Sequence, residues 1–404
     1  MDNRTAGRTA LAVLGLCFVL TVLSRGLNES FTVFLLPISQ DFGWDRAEVI
    51  SIYSLSALTS GLAAPWIGRL FDHSGPRTVY GLGLLLLGAS FSIAAHAQQL
   101  WQFQVLIGIG IGLAAACLGT VTSALLLARW FGPRLPTAMA VIFSAMGAGT
   151  LLALPASQLL IDSFGWRGAY QILGGLALAL LVPIFFLPWQ RFAAGSPHVP
   201  RHAAVDQSGQ AWTLGSAMRH HAFWALFSTF FFTAVGIFAI TAQAVAYLID
   251  AGFPPLQAAT AWGFSGALLL VGMMLVSWLD GVIGRVRSIL FSYSLTISGI
   301  VMLYYLARFP NWWLLAGFVV CFGSMQGSRG PLITATAMQI FRGERVGTIF
   351  GTISIGSGLG AALGSWSGGL IHDWTGGYDA VIGFALVSII AGMMPFLVVP
   401  MLRR

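Results

Sequence analysis

Gly68-Arg69-Leu70-Phe71-Asp72-His73-Ser74-Gly75-Pro76-Arg77 is a charged turn joining two apolar runs, residues 47–70 and 78–96. Each run approaches the roughly 20 helical residues that cross a hydrocarbon core of about 30 Å. Glycine permits a tight turn and close helix approach. Asp72 can face a helix N-terminus or a neighbouring arginine, and Arg77 can hold the face on which the turn emerges.

Outward from this turn the same alternation continues. Twelve runs are long enough to span: 11–36, 47–70, 78–96, 101–128, 136–161, 167–189, 222–249, 257–279, 288–307, 312–340, 346–371 and 379–401, numbered here as spans 1 to 12. Of the 404 residues 57% are hydrophobic and 8% charged. A soluble domain carries about 25% charged residues, so this chain cannot cover a water-facing surface, and lipid is its expected solvent. The apolar stretch after Arg4 and Arg8 runs past Arg25 and Glu29 to about Pro37, without a small-residue cleavage site. It reads as an uncleaved first helix.

All 20 basic residues are arginine, and the net charge is +7. They stand singly in short joins and form no stripe, which excludes a nucleic-acid surface. With the N-terminus placed inside, Arg4, Arg8, Arg69, Arg77, Arg129, Arg134, Arg191, Arg201, Arg219, Arg285, Arg287, Arg342, Arg345, Arg403 and Arg404 face the cytoplasm. Arg46, Arg167 and Arg308 fall outside. That asymmetry predicts both termini inside, in a bacterial inner membrane. Trp44, Trp101, Trp130, Trp166, Trp189, Trp312 and Trp374 lie near span ends and are expected in an aromatic belt. Cys17, Cys117 and Cys321 sit in apolar runs without metal-ligand spacing and read as reduced core fillers.

Residues 190–221 lack apolar periodicity and read as a cytoplasmic linker between two six-span halves, 1–189 and 222–404. The halves echo each other. LLIDSFGWRGAY, 159–170, matches GLIHDWTGGYDA, 369–380, in position and rhythm; the turn after span 2 is echoed more weakly by WLDGVIGRVR, 278–287. Duplicated halves are typical of transporters with a midplane site. The expected fold class is therefore an all-α integral membrane protein of twelve transmembrane helices in two six-helix halves.

The turn at Gly68, Asp72, Gly75 and Arg77 resembles the G-x-x-x-D-[RK]-x-G-x-[RK] signature of the major facilitator superfamily, with His73 in the usual basic place. FTVFLLPISQDFGWDRAEV (31–49), RWFGPRLPTAMAVIFSAMGAG (129–149), FGWRGAYQILGG (164–175) and HAFWALFSTFFF (221–232) resemble its monocarboxylate and oxalate–formate branch. The resemblance implies alternating access around a central cavity lined by spans 1, 4, 7 and 10. Two positions depart from the pattern. Met273 stands where the branch commonly has a carboxylate-gripping arginine in span 8, and Gln104 where many proton-coupled drug transporters have an arginine in span 4.

A charge at a helix centre costs about 2.5–3.5 kcal/mol, so it is usually functional. Arg25 and Glu29 in span 1 and Arg329 in span 10 are such charges. Arg25 and Glu29 are four residues apart and share a helical face. Two guanidiniums and one carboxylate suit a small organic monocarboxylate, which arginine grips through paired donors. Asn28, Thr120, Gln243, Tyr247 and Gln326 are candidates to complete the substrate-binding lining. For each of these, a hydrogen bond between helices serves equally well, and Arg25–Glu29 could be a self-satisfied pair with Arg329 bonded to backbone carbonyls. If a substrate carboxylate takes Arg25, Glu29 is left alone in a dry site and should take up a proton, giving anion–proton symport. Glycines in span 11 (Gly356, Gly358, Gly360, Gly364, Gly368) and small residues in span 5 (Ala145, Gly147, Gly149) either let opposite halves slide or only pack.

The expected partners are thus a small organic anion, protons and the bilayer, with no cofactor or metal, in a monomer. The alternative is an efflux pump for an amphipathic drug or metabolite. An intramembrane enzyme lacks support: there is no H-E-x-x-H, and no histidine lies mid-span.

Overall fold

The computed structural model describes residues 3–132, 135–195, 212–341 and 346–402. Arg134, Arg201, Arg342, Arg345, Arg403, Arg404 and most of the 190–221 linker lie outside them. Among the described residues the chain is helical and has no strand. Among the described residues eight helices are long and apolar enough to cross a membrane. Arg46–Ala94 and Thr137–Phe186 hold two spans each, so the eight account for ten; span 10 is divided into the shorter helices Trp312–Gly323 and Gly330–Ile340, and span 11 lies in Val346–Thr375.

The chain divides into two compact units, residues 1–42 with 55–203, and residues 43–54 with 204–404. Unit 1 contains α1 (Asn3–Phe42), most of α2 (Arg46–Ala94), α3 (Leu100–Phe131), α4 (Leu135–Ala179), α5 (Leu181–Phe186) and α6 (Trp189–Ala194). α1 packs along α4. The contact is possible because Gly26 and Gly149 lack side chains: a Cβ on Gly149 would lie 2.4 Å from the Val22 carbonyl oxygen. The apolar core of the unit holds Phe34, Phe71, Tyr80, Phe91, Phe103 and Tyr170.

α2 and α4 run through the joins where loops were expected. Residues 68–77 are not an open loop. The helix continues to a single break at Gly75, with φ 77°, and Pro76, which lacks an N–H to lose, restarts it. Gly165, φ 69°, breaks α4 in the same manner between spans 5 and 6.

Unit 2 contains α7 (Leu214–Met218), α8 (His221–Thr241), α9 (Ala244–Asp250), α10 (Pro255–Ile283), α11 (Arg285–Leu306), α12 (Trp312–Gly323), α13 (Gly330–Ile340), α14 (Val346–Thr375) and α15 (Asp379–Val398). α8 packs against both α14 and α15. A Cβ on Gly360 or Gly364 would come within 2.3 Å of the Phe231 or Val235 carbonyl oxygen, respectively. The small-residue stripes thus join helices within each unit, α1 to α4 and α8 to α14. At these glycines each stripe packs closely on a helix of its own repeat, and α14 also meets Ala47 and Ser54, from the first half of the sequence, at Gly369 and Ser365.

The aromatic belt also needs correction. Trp101, Trp312 and Trp374 are largely exposed, but Trp130, Trp166 and Trp189 are buried. Buried indoles need an acceptor for their N–H. Trp130 donates to the Phe192 carbonyl at 2.8 Å and Trp189 to the Ile184 carbonyl at 2.6 Å, while Trp166 donates to Asp41 at 3.3 Å. All three cysteines are free; Cys17 and Cys117 are core residues, whereas Cys321 is only half-buried.

Candidate functional site

Three of the four spans expected to line a cavity are broken. Span 4 is π-helical over Gln104–Ile111 and breaks at Gly119, where the backbone turns extended (φ −81°, ψ −167°), just before Thr120. Span 7 breaks between α8 and α9 at Ala242 and Gln243. Span 10 is π-helical over Val319–Gly323, then opens into turns at 326–329 before α13 begins at Gly330. Thr120, Gln243, Gln326 and Arg329 therefore sit at the breaks. Discontinuous helices free backbone groups at membrane depth and occur where a transporter holds its cargo. Pro331, near the start of α13, is the sequence signal for this restart.

Arg329 dominates the unit 2 group. It is 3% exposed. Its Nε donates to Ser292 Oγ at 3.0 Å, and its Nη2 to the Ser292 carbonyl at 3.1 Å and to Thr296 Oγ1. The guanidinium carbon lies 4.1 Å from the Tyr293 ring centroid. Tyr293 is itself held by Thr233 at 2.6 Å and the Gly392 carbonyl at 3.0 Å. Among the described residues no carboxylate pairs with Arg329, and its Nη1 has no hydrogen-bond partner. A buried cation with open donors is expensive unless an anion completes it.

The other unit 2 candidates differ. Gln243 is 1% exposed, and neither its Oε1 nor its Nε2 is hydrogen-bonded. Gln326 donates to Ser265 at a long 3.4 Å. Tyr247 is fully used, donating to the Leu303 carbonyl at 2.7 Å. The sequence reading missed Ser292, Tyr293 and Thr296, whose polar spacing along span 9 was visible but whose facing partner was not.

In unit 1, Arg25 Nη2 and Glu29 Oε1 form the expected i,i+4 pair at 2.9 Å; the arginine side chain is 33% exposed and the glutamate 3%. Asn28 accepts from Ser56 at 3.0 Å. Thr120 is half-buried next to the Gly119 break. The turn residues Asp72 and Arg77 are exposed, and the Arg77 guanidinium lies 5.3 Å from the Phe185 ring centroid. No group of metal-ligating side chains occurs among the described residues.

Comparison with known proteins places this geometry. The model of the Major Facilitator Superfamily matches residues 14–308 and 281–404. An uncharacterized MFS-type transporter, YcxA of Bacillus subtilis (strain 168), is 26% identical over 98% of this chain and 97% of its own length. Monocarboxylate transporter 12-B of Danio rerio is 27% identical over 92% of this chain and 83% of its own. Monocarboxylate transporter 13 of Bos taurus is 26% identical, covering 95% and 87%. A bacterial homologue of the human lysosomal transporter Spinster, solved inward-facing and occupied, superposes with a TM-score of 0.68 at 13% identity, over 96% of this chain and 93% of that one.

Proposed function

Because the chain belongs to the major facilitator superfamily and is a membrane transporter, we propose that its cargo is a small organic monocarboxylate, carried with a proton. The observation that supports this is Arg329: a guanidinium sheathed in protein at a break in span 10, with no carboxylate among the described residues bonded to it and Nη1 open. A monoanion supplies the missing charge and acceptor in one step. The names of the monocarboxylate-transporter relatives agree with that cargo class. Ser292 and Thr296 already occupy Nε and Nη2, so a carboxylate meets Arg329 through Nη1 unless those bonds exchange.

The Arg25–Glu29 pair supplies the proton step. Glu29 is buried and Arg25 is a third exposed, so Arg25 is the member an arriving anion can engage. Glu29 then loses part of its counter-charge in a dry place and takes a proton. The arginine distribution puts both termini in the cytoplasm and the Arg46, Arg167 and Arg308 end outside, in a bacterial inner membrane, with a monomer as the working unit.

The test is a thermal-shift screen of purified protein against small carboxylates, sulfonates and phosphates, repeated with Arg329→Ala. A carboxylate that stabilises the parent and not the variant supports the assignment; stabilisation of both to the same degree removes it. A second reading has its own observation. The Ser292, Tyr293 and Thr296 contacts make Arg329 a strut between spans 9 and 10, and in that case Arg329→Gln lowers the melting temperature yet leaves ligand binding intact.

A further inference from the structure

The two halves carry the same corner with one residue exchanged. In unit 1, α1 ends with Asp41 two residues before Gly43, φ 69°. Asp41 Oδ2 takes Arg167 Nη1 at 2.6 Å, from the corner that turns at Gly165. In unit 2, α9 ends with Asp250 two residues before Gly252, φ 96°. Its corner turns at Gly376, φ 68°. Aligning Gly165 with Gly376 pairs Asp162 with Asp373, and puts Tyr378 in the place of Arg167. Tyr378 donates to Asp250 Oδ2 at 2.9 Å, but it brings no charge. The guanidinium comes instead from Arg46, which pairs with the same Asp250 oxygen at 2.5 Å and also bonds the Tyr378 hydroxyl.

Arg46 belongs to residues 43–54, the segment that reaches unit 2 from the first half of the sequence. The segment is seated on α14 over its length. The Ala47 amide donates to Asp373 Oδ2 at 2.6 Å, and Ser54 and Ser365 share a hydrogen bond of 2.6 Å. Gly369 admits it closely, since a Cβ there would lie 3.0 Å from the Ala47 Cα. One titratable imidazole adjoins this seat. His372 Nδ1 lies 3.4 Å from Asp373 Oδ1, and its ring centroid is 4.6 Å from that of Tyr378.

We propose that Arg46 is the detachable pin of a latch at the outer end of the transporter, and that proton binding at His372 releases it. The groups that face His372 are Asp373 on its own helix, Arg46 on the seated segment, Asp250 at the end of α9 and Tyr378 on the corner. Tyr247 of α9 meets Tyr378 edge-on, with ring centroids 4.3 Å apart, and on the segment Glu48 Oε2 accepts from the Asp45 amide at 3.0 Å. Burial and then Arg46 hold the His372 pKa below its ordinary value, outweighing Asp373 and Asp250. When the segment leaves, the Arg46 repulsion goes with it and the pKa rises toward the ordinary histidine value of about 6.5. The released form therefore binds the proton more tightly. The seated form is favoured at higher pH and is lost as pH falls through that value.

Spin labels at Asp45→Cys and Phe309→Cys, in a background lacking Cys17, Cys117 and Cys321, report the seat as a distance distribution in proteoliposomes. At pH 8 a single short distance is expected, and at pH 5 a second, longer one. His372→Gln should hold the pH 8 distribution at both pH values. Arg46→Gln and Asp250→Asn should each shift the seated-to-released ratio by about tenfold toward release, and the swap Arg46→Asp with Asp250→Arg should restore it. A full pH response in His372→Gln overturns the proton site. An unchanged distribution in both Arg46→Gln and Asp250→Asn, with protein that remains monodisperse, overturns the latch.

Discussion

Arg329 spends Nε and Nη2 on two residues one turn apart in α11 and leaves Nη1 empty. Lysine cannot reproduce this, because a single ammonium would have to choose between the Ser292–Thr296 cradle and the anion. Arg329→Lys should therefore keep most of the melting temperature and lose about tenfold or more in carboxylate affinity, measurable by calorimetric titration. Gln243 makes the converse case. A buried amide with neither end bonded costs about 1–3 kcal/mol for each unsatisfied group, so Gln243→Leu should raise the melting temperature. If Gln243 serves the cargo, the same variant loses transport in proteoliposomes. At this scale the sequence disclosed the charges themselves, since a lone arginine or glutamate in an apolar run is conspicuous. It did not disclose what each would touch: the Ser292–Thr296 cradle depends on how two helices face each other, and no single-helix periodicity encodes that.

Three of the four spans that carry candidate residues are interrupted, whereas α1, which carries Arg25, Asn28 and Glu29, is continuous and close-packed on α4. α14 provides a direct comparison. A Cβ on Gly364 would meet the Val235 carbonyl oxygen at 2.3 Å, whereas Gly351 has open space around it. Gly364→Ala should cost about 1–3 kcal/mol by forcing α8 away, and Gly351→Ala should gain about 0.5–1 kcal/mol from helix entropy. Thermal unfolding of the two variants checks both signs. The positions of the spans were legible from hydropathy because lipid permits few alternatives for an apolar run of that length. The joins at Gly75 and Gly165 were legible as joins but not as near-continuous helix, because a single positive-φ glycine suffices where a loop of several residues was expected. The π-helical stretches in spans 4 and 10 left no mark in composition: Gln104–Ile111 and Val319–Gly323 are mainly apolar and glycine-containing like the α-helical turns beside them.

For the whole molecule, alternation of the spans fixes which joins share a side. Cysteines placed at His73 and Phe309, both exposed, should react with a membrane-impermeant thiol reagent from opposite sides of the membrane, His73→Cys only after the inner face is opened. Labelling of both from one side removes the topology. The arginines Arg46, Arg167 and Arg308 each meet an aspartate, Asp250, Asp41 and Asp379, at 2.5, 2.6 and 2.9 Å. Counting charges from the sequence could show that these arginines are few, but not that each is neutralised.

Those three pairs have a consequence for delivery. In the topology proposed from arginine placement, the joins on that side also include Asp45, Glu48, Asp162 and Asp373, so they carry seven carboxylates against three guanidiniums, a net charge of −4 with the histidines neutral. A carboxylate diffusing toward that mouth climbs a repulsive field, which dissolved electrolyte flattens within a Debye length of about 10 Å at 0.1 M. Raising ionic strength should therefore quicken capture from that face, the reverse of what an electrostatic funnel does.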